Sequence, residues 1–494
     1  MKSKISLLGI AFISGAMVMI FEIIGARILA PSIGTSFYVW TALIGFVLAS
    51  LSLGYYLGGY WIDIHPKKIW IAFSLLGAAL SLMIVFVFKD DVLSWIVNHV
   101  KGLKVSAVIA SVVLFVPASV FFGTITPMIA KLLLKELDMA GKTMGNVFAF
   151  SSIGSLAGTF LAGFYLLPTF SLNYILSGLI VVSIVLASLI FLSENNWLYL
   201  LISLLILMIF YISLKNKEVK TTSIYEFESA YNSIKVFPTI DYHTNDSILI
   251  MQLGRQRAGA MSLTNRPLPF NYLYYFRLAE YFNPEFTSAL MLGGAAYSFP
   301  KYYLNFYSKA TLDVVEIDEK VTEIAEDYFH LNSKHPNLHI FHEDARTFLN
   351  NCTKKYDVIY SDTFKSAISL PYQLTTIEAI QKQYNLLNDD GVVIVNVIQA
   401  VEGKYSLFLQ AELKSFKAVF PQVLLFADAG PDKRKQIQSI IIVALKGSKE
   451  FDFVSNDVGL DSLLKKRVSE QIPLTQQILS DDFAPVDYLS FQGL

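Results

Sequence analysis

The chain has few of the residues that define secreted, disordered or nucleic-acid-binding proteins. It contains one cysteine, Cys352, among 494 residues, which excludes internal disulfides and a zinc site built on several cysteines. Charged residues make up only 16% of the chain, whereas a soluble protein usually carries about 25%. The net charge is −1, so no basic excess indicates a nucleic-acid partner. Apolar residues make up 54%, which excludes a disordered chain.

The shortage of charge is confined to the N-terminal part. Residues 1–214 hold 18 charged side chains and residues 215–494 hold 61, so we predict a transmembrane helical domain over 1–214 followed by a soluble part. A span needs about 20 apolar residues. The first apolar run is too long for a signal peptide, and further runs follow it. Seven spans are predicted, near residues 5–30, 38–62, 69–88, 104–130, 143–168, 171–192 and 196–214.

Polar and small residues within these spans suggest contacts between helices. Glu22 and Arg27 lie inside the first span, where ionisable groups are costly and usually face a cavity or a partner. Five residues separate them, so they point to different faces of the helix and are not expected to pair with each other. A functional cavity and pairing with another helix are both open explanations. Gly154 and Gly158 predict close helix packing in the fifth span.

The stretch Gly59-Tyr-Trp-Ile-Asp63-Ile-His-Pro-Lys67-Lys68 partly resembles the loop between helices 2 and 3 of major facilitator transporters. The resemblance implies that Asp63 and the two lysines hold a helix end at the cytoplasmic face. Lysines near the N-terminus and in this loop favour a cytoplasmic N-terminus, and seven spans would then place the soluble part outside. The chemistry inferred below needs a cytosolic nucleotide, so either one span is miscounted or the N-terminus is outside.

The predicted pattern of secondary structure in the soluble part changes at about residue 288. Residues 220–265 predict short strands, clearest at 233–237 and 247–251. Beyond them, strands and helices alternate, which predicts a parallel sheet with helices on both faces. Thr375 and Glu378 form a capping-box pattern that predicts a helix start. The predicted strands are 288–293, 311–317, 338–342, 357–361, 391–398, 422–426 and 437–444, and the helical segments are 317–330, 375–387 and 404–419.

Candidate binding residues follow the first two strands of this sheet. The first strand runs into Gly293-Gly294, which permits a tight turn and close approach of the backbone to a ligand. Glu316 ends the next strand, and an acidic residue at this distance can accept hydrogen bonds from ribose hydroxyls. Asp318, two residues on, is better explained as a helix N-cap. Together these residues predict a nucleoside site.

Carboxylates follow the next two strands. Asp344 comes after the third strand, where a carboxylate can hold an adenine amino group. Asp362 stands at the carboxyl end of the fourth strand, the edge at which open α/β sheets bind ligands. Asp357, at the start of that strand, is interpreted as a solvated residue. The histidines at 330, 335, 339 and 342 lack convergent spacing, so no metal site is predicted.

In this order, the motifs resemble the spermidine synthase (polyamine aminopropyltransferase) family, which has the S-adenosylmethionine methyltransferase fold. The segment Tyr231-Asn232-Ser-Ile-Lys-Val236 is similar to the entry motif of its small β-domain. The whole chain resembles bacterial proteins that fuse a major-facilitator-like membrane half to such a domain; the closing Leu479-Ser-Asp-Asp-Phe-Ala-Pro485 is similar to theirs. The domains implied are 1–214 membrane, 215–270 small β-domain, 271–446 Rossmann-like methyltransferase-fold domain and 447–494 C-terminal tail.

The resemblance implies a role for each site residue. Decarboxylated S-adenosylmethionine, or S-adenosylmethionine itself, would be the donor, with no metal. Asp362 would be the catalytic base that readies the attacking amine. The acceptor would be a polyamine or another amine. The donor-binding residues would be Gly293, Gly294, Glu316, Asp344, Ala345 and Asn232. Apart from the resemblance, Tyr231, Tyr274 and Tyr372, with Phe364, could form an aromatic substrate pocket that suits a less charged or lipidic acceptor, or a sulfonium through cation–π contact.

The sequence departs from the family where the aminopropyl group would be held. The family's Gly-Gly-Gly-Asp-Gly-Gly is here Gly293-Gly-Ala-Ala296-Tyr-Ser298, so the carboxylate that contacts the aminopropyl ammonium falls at Ala296. Its Asp-Ser-Ser-Asp-Pro is here Asp362-Thr-Phe-Lys365-Ser, which replaces a second carboxylate by lysine. Asp481 and Asp482 would return negative charge if the tail folded over the site.

Three functions therefore compete. The first is a membrane-anchored aminopropyltransferase of the bacterial inner membrane with a cytoplasmic catalytic domain. The second is an S-adenosylmethionine-dependent methyltransferase, favoured by the missing carboxylate. The third is a transporter or sensor with a nucleoside-binding soluble domain, favoured by Glu22 and Arg27. The expected partners are the amine substrate and the lipid bilayer, a homodimer is left open, and no nucleic acid is expected.

Overall fold

A computed structural model describes residues 2–491 apart from positions 35, 101, 135–138, 218–222, 230, 242–243, 255, 265, 364–370, 470–471 and 476. The chain divides into two compact units. One comprises Met1–Thr222 with Glu228–Ala230, and the other Ser223–Phe227 with Tyr231–Leu494. The finer boundaries predicted inside the soluble part stay predictions.

The first unit is a bundle of long apolar helices. In the part of the chain that is described, seven helical segments are long and apolar enough to cross a membrane, as predicted. The third is longer than expected and ends at His99 rather than near residue 88. The helices are α1 (Lys2–Ile33), α2 (Phe37–Ile64), α3 (Ile69–His99), α4 (Leu103–Leu133), α5 (Ala140–Leu161), continued by a π-helical turn (Ala162–Leu166) and α6 (Leu167–Thr169), α7 (Leu172–Ser193) and α8 (Trp197–Lys217).

Glycines allow two pairs of these helices to pack closely. A methyl group on Gly154 or Gly158 of α5 would collide with the backbone of Phe12 or Ala16 in α1. Gly54 and Gly58 of α2 meet the backbone of α4 in the same way. Backbones that approach this closely gain dispersion contacts, which replace the hydrophobic effect as the packing force in lipid.

Arg27 of α1 pairs with another helix, as one of the two explanations required. Its Nη1 donates to the carbonyl of Leu167, 3.3 Å away, just after the π-helical turn of the fifth span. A carbonyl near a helix end lacks an intrahelical donor, so the guanidinium satisfies it. The Nη2 of Arg27 also donates to the carbonyl of Ser229.

Ion pairs join the loops at one end of the bundle. Lys131 Nζ lies 2.6 Å from Asp63 Oδ1, and Lys68 Nζ lies 3.7 Å from Glu194 Oε1. Asp63, at the end of α2, therefore pairs with α4 through Lys131, and Lys68 pairs with the end of α7 through Glu194, in keeping with the structural role predicted for this stretch. The loop joins helix ends through charge.

The second unit begins with a small four-stranded sheet. Its strands pair in sequence order, and β2 and β3 agree with the predicted ones. Ile234, Val236 and Met251 are fully buried beneath it. A 3₁₀ turn (Asn271–Arg277) and α9 (Leu278–Phe282) lead onward. The strands are β1 (Tyr225–Glu228), β2 (Ser233–Ile240), β3 (Ser247–Leu253) and β4 (Gln256–Ser262).

A seven-stranded sheet follows. Its strands are β5 (Ser288–Leu292), β6 (Thr311–Val315), β7 (Leu338–Phe341), β8 (Tyr356–Ser361), β9 (Leu387–Gln399), β10 (Gln422–Ala427) and β11 (Gln438–Leu445). Their order is β10-β11-β9-β8-β5-β6-β7. The prediction of a wholly parallel sheet is wrong at one strand, because β11 runs antiparallel between β9 and β10. The ten residues between β10 and β11 are too few for a parallel crossover.

Helices lie between the strands as predicted, with one different start. The predicted Thr375–Glu378 capping box is wrong, because Thr376 is the N-cap and accepts from the amide of Ala379. The carboxylate of Glu378 instead accepts from the amide of Asp481. The helices are α10 (Ser298–Phe306), α11 (Glu319–Phe329), α12 (Ala345–Asn351), α13 (Ile377–Leu386), α14 (Leu407–Val419), α15 (Val458–Leu464) and α16 (Val486–Phe491).

Candidate active site

The candidate site lies along the carboxyl ends of adjacent strands. Strands β7, β6, β5 and β8 are neighbours and parallel, so the residues that follow them share one edge of the sheet. These residues are Asp344, Glu316, Gly293 and Asp362 in the same order. Their predicted convergence thus follows from strand order.

The turn after β5 has the backbone of a glycine loop with fewer glycines. Gly293 has a φ of +92°, and a Cβ there would lie 2.7 Å from the carbonyl oxygen of Asp362. Ala295 and Tyr297 also adopt positive φ, +46° and +51°, at positions where the resemblance expects glycine. The left-handed region costs about 1–2 kcal/mol per non-glycine residue, so the turn keeps its shape at some cost in strain.

Glu316 holds this turn in place. Its Oε2 accepts from the amides of Gly294 and Ala295 at 3.0 and 3.1 Å, and its Oε1 accepts from the amide of Asp318 at 3.1 Å. The side chain is 8% exposed. A carboxylate has about four acceptor positions. Three are occupied, which leaves capacity for a ligand hydroxyl.

Tyr297 links the glycine turn to its neighbours. Its buried hydroxyl lies 2.7 Å from Thr322 Oγ1 in α11. Thr322 Oγ1 in turn lies 3.1 Å from His342 Nε2. His342 stands two residues before Asp344. The three side chains therefore join the turns after β5 and β7 through one hydrogen-bonded chain.

Two further predicted donor-binding residues, Asp344 and Ala345, lie at the start of α12, and a third, Asn232, contacts the N-cap of α11. Asp344 is the N-cap of α12 and accepts from the amide of Thr347 at 2.9 Å, with Ala345 as the first helical residue. Asn232 Nδ2 lies 3.3 Å from Asp318 Oδ2. Asp318 is the N-cap of α11, as expected. Asn232 thus reaches the same acidic end of the sheet as Glu316.

Asp362 is held by two side chains. Tyr272 donates its hydroxyl to Oδ2 at 2.9 Å, and Asn396 Nδ2 donates to Oδ1 at 3.1 Å. Burial raises the pKa of this carboxyl, and these two hydrogen bonds partly oppose the rise. Burial, and then the charge of Asp362, raise the pKa of Tyr272 well above its ordinary value, so its hydroxyl stays a donor.

Neither partner of Asp362 is among the residues predicted from the sequence. Tyr272 stands two residues before the predicted Tyr274, in a run of tyrosines that offers no means of choosing. Asn396 does have a signal, since it is the single polar residue in Val392-Val-Ile-Val-Asn-Val-Ile398. It is 2% exposed, and a buried polar residue in an apolar strand needs a hydrogen-bonding partner.

Ala296 is enclosed where the resemblance expects a carboxylate. Ala296 is 1% exposed. A Cβ added to Gly259 of β4 would lie 2.5 Å from the Cβ of Ala296. Strand β4 therefore rests directly on the glycine turn. A longer side chain at Ala296 would have to displace that strand.

The predicted aromatic residues are less closely gathered. Tyr231 and Tyr372 are 55% and 54% exposed. Tyr274 is half-buried, with the Arg266 guanidinium 5.8 Å from its ring centre. Phe364 and Lys365 lie outside the described residues.

Two acidic residues differ from their interpretation. Asp357 is only partly solvated; its Oδ2 accepts from the amides of Thr287 and Ser288 at 2.8 and 3.0 Å, and its Oδ1 accepts from Asn388 Nδ2 at 2.6 Å. Asp481 offers no free negative charge, because Arg346 Nη2 lies 2.5 Å from its Oδ2. Over the described residues, no group of three or more histidine, cysteine or acidic side chains is placed to hold a metal ion.

The strand order, the glycine turn and the acidic residues at successive strand ends define an α/β domain of the Rossmann-like methyltransferase type. Residues 278–452 match the family model described as the spermine/spermidine synthase domain. This match covers about a third of the chain, and it agrees with the predicted resemblance to the spermidine synthase family and with the predicted transferase domain.

Three known proteins illustrate what the chain is similar to. The chain is 27% identical over 210 residues to a polyamine aminopropyltransferase of Vibrio vulnificus, covering 42% of this chain and 68% of that one. It is 35% identical over 130 residues to an N-terminal histidine N-methyltransferase of Emericella nidulans, covering 24% and 22%. A probable spermidine synthase structure from Corynebacterium glutamicum has a TM-score of 0.42 at 22% identity, covering 55% and 94%.

Proposed function

We propose that the chain is a membrane-embedded aminopropyltransferase that moves the aminopropyl group of decarboxylated S-adenosylmethionine to a polyamine or another amine. The observation that carries the proposal is Asp362. It stands inside the family-matched region, beside the glycine turn, as a carboxyl whose pKa is raised by burial.

The donor would lie across the ends of β5, β6 and β7. Glu316 would accept from the ribose hydroxyls, using the acceptor capacity that the turn amides leave free. Asp344 and the amide of Ala345 would contact adenine. Gly293 and Gly294 would let the backbone approach the ligand, and Asn232 would contact it from the β-domain.

Asp362 would act as the base. An alkylammonium acceptor has no lone pair, so it must lose a proton before its nitrogen attacks carbon. In the transfer, a C–N bond forms at the aminopropyl carbon, the C–S bond breaks, and neutral methylthioadenosine leaves with the electron pair of that bond. The released proton goes to Asp362, whose raised pKa brings it closer to neutral pH, where general bases work best. Tyr272 and Asn396 would fix its orientation.

The acceptor would bind on the side of the tyrosines. Tyr231, Tyr274 and Tyr372 would present aromatic faces to a cation, a contact worth about 0.5–1 kcal/mol each at exposed sites. The missing carboxylate at Ala296 predicts weaker selection for dications than a site with several carboxylates would give.

Methyl transfer from S-adenosylmethionine is the second candidate, and Ala296 favours it. Because this position is enclosed by Gly259, no carboxylate can reach from it to an aminopropyl ammonium. A methyl group requires no such contact.

The test is the identity of the nucleoside product. Purified full-length protein receives either donor with mixed polyamines and native lipids, and mass spectrometry identifies the nucleoside formed. Methylthioadenosine that requires both the decarboxylated donor and an amine supports aminopropyl transfer. S-adenosylhomocysteine would replace the proposal by methyl transfer. Absence of both products, with nucleoside bound, would favour the sensor or transporter.

We propose that the soluble unit faces the cytoplasm of a cell whose inner membrane holds the helices, since adenosyl sulfonium donors are made inside cells. An odd number of spans puts the two ends of the bundle on opposite faces. The N-terminus and the loop bearing Lys68 would then lie outside, against the positive-inside tendency. With Cys352 replaced by serine, a cysteine at Asn196 should react with a membrane-impermeant maleimide in intact cells, and one at Lys404 only after lysis. The reverse labelling pattern would refute this orientation.

A further inference from the structure

The C-terminal segment that contains the family-like motif at residues 479–485 is bound to helices of the seven-stranded sheet domain by a network of polar contacts. The side chain of Leu479 is fully buried. Its carbonyl accepts from the amide of Ile377 at 2.8 Å, and its amide donates to Ser415 Oγ at 3.0 Å. The backbone of the segment is thus fixed to α13 and α14 immediately before Asp481.

Arg346 connects this network to the turn formed by Asp344 and Ala345, the proposed adenine-binding turn. It is the second residue of α12, directly after Asp344 and Ala345, and its side chain is 16% exposed. Its Nη1 donates to the carbonyl of Gln373 at 2.9 Å and to Thr376 Oγ1 at 3.0 Å. One guanidinium therefore joins the start of α12 to the turn that carries Tyr372.

Asp481 completes the arrangement. Its Oδ1 and Oδ2 lie 3.1 and 2.5 Å from Arg346 Nη1 and Nη2, which is a bidentate pair. Oδ1 also accepts from Thr376 Oγ1 at 2.7 Å, and the Asp481 amide donates to Glu378. Bidentate pairs between arginine and carboxylate are directional, and they fix geometry as well as charge. Without Asp481, the guanidinium would lose its only carboxylate partner among the described residues.

We propose that the Arg346–Asp481 pair is a positioning contact through which the C-terminal segment fixes the Asp344–Ala345 turn and so sets the affinity for the adenosyl nucleoside. This inference rests on the proposed function, because it takes that turn to be the adenine site. Arg346 and Asp481 act through the turn and do not touch the ligand themselves.

Asp482 provides the matched control. It is the next residue along the chain and is exposed, and no hydrogen bond or ion pair holds its side chain within the described residues. Asp481→Asn and Asp482→Asn each remove one negative charge from the same segment. They differ in the bidentate contact, so a difference between them reports that contact rather than the net charge.

The experiment measures binding of 5′-methylthioadenosine to the full-length protein by calorimetry. We expect Asp481→Asn to weaken binding about tenfold, as loss of roughly one charge-assisted hydrogen bond would, and Asp482→Asn to leave it unchanged. The Michaelis constant for the amine should change less than the nucleoside affinity in Asp481→Asn, because Tyr372 is the one proposed acceptor residue on a turn that this network holds. Arg346→Lys, which keeps the charge but loses the fork, should weaken binding to an intermediate degree.

The outcomes separate the two proposals. If the unmodified protein does not bind the nucleoside, the proposed function fails. If it binds, and Asp481→Asn and Asp482→Asn bind equally well, the positioning role is refuted while the function stands. If Asp481→Asn lowers the melting temperature strongly, Arg346→Lys decides, because unchanged affinity in that variant would also overturn the inference.

Discussion

Asp357, near the start of β8, and Asp362, directly after its end, should respond in opposite ways to the same substitution. Asp362 has a pKa raised by burial, so its ionised form lowers the free energy of unfolding at neutral pH. Asp357, near the start of the strand, has a pKa lowered by hydrogen bonds from Thr287, Asn388 and Ser288, which outweigh its burial. Its ionised form adds stability above its ordinary pKa, and that stability is lost as pH falls through the lower folded-state value.

The magnitudes follow from the contacts. In Asp362→Asn the new carbonyl can still accept from Tyr272. The new NH2 can donate to Asn396 Oδ1 once the side-chain amide of Asn396 rotates by about 180°. This buried oxygen has no other hydrogen-bond partner among the described residues. Stability should therefore be kept or rise, while turnover falls about 10²–10⁴-fold with loss of the base. Asp357→Asn should cost about 2 kcal/mol, since bonds to a charged group weaken, with turnover per folded molecule unchanged.

The assay pairs thermal unfolding of the full-length protein in detergent with initial rates on the same samples. Turnover of Asp362→Asn within tenfold of the parent would refute the role of Asp362 as the base. The predicted destabilising effect of its carboxylate would be wrong if that variant lost more stability than Asp357→Asn, because the buried carboxylate would then stabilise the fold.

Three further changes have defined outcomes. Tyr272→Phe removes a donor that lowers the pKa of Asp362, so the acidic limb of kcat/KM should move to higher pH; an unmoved limb in the pH–rate profile would contradict this. Ala295→Gly should raise the free energy of unfolding by about 0.5–1 kcal/mol, since relief of positive φ exceeds the added chain entropy; chemical denaturation measures it, and a loss would contradict it. Gly154→Leu should abolish folded protein in detergent chromatography, whereas Gly163→Leu, which meets open space, should not; equal yields would disprove the packing argument.

Much of the sheet could be predicted because its signals are local. Apolar strands of five or six residues run into Gly293, Glu316 and Asp362, and parallel order brings such ends together without further information. The direction of β11 could not be read from alternation, because an apolar run has no direction. The short connection before it was the available signal.

The partners of Asp362 were harder to predict, for a different reason. Tyr272, Tyr274 and Tyr275 have equivalent side chains, and the 3₁₀ turn that contains them decides which hydroxyl meets Asp362. Propensity does not fix the phase of such a turn. Asn396 could have been found, since a polar residue in an otherwise apolar strand implies a partner.

The substitutions in the glycine turn also have a consequence for how the site meets its ligand. Tyr297 connects the turn after β5, through hydrogen bonds with Thr322 and His342, to the segment before Asp344. Glu316 accepts a hydrogen bond from the amide of Gly294 in the same turn. A loop built from glycines would be free to adjust, but this one is locked on several sides before any nucleoside arrives. Little conformational entropy then remains to be lost on binding. Association should be close to lock-and-key, and selectivity among adenosyl compounds should depend on their shape more than on rearrangement of the protein.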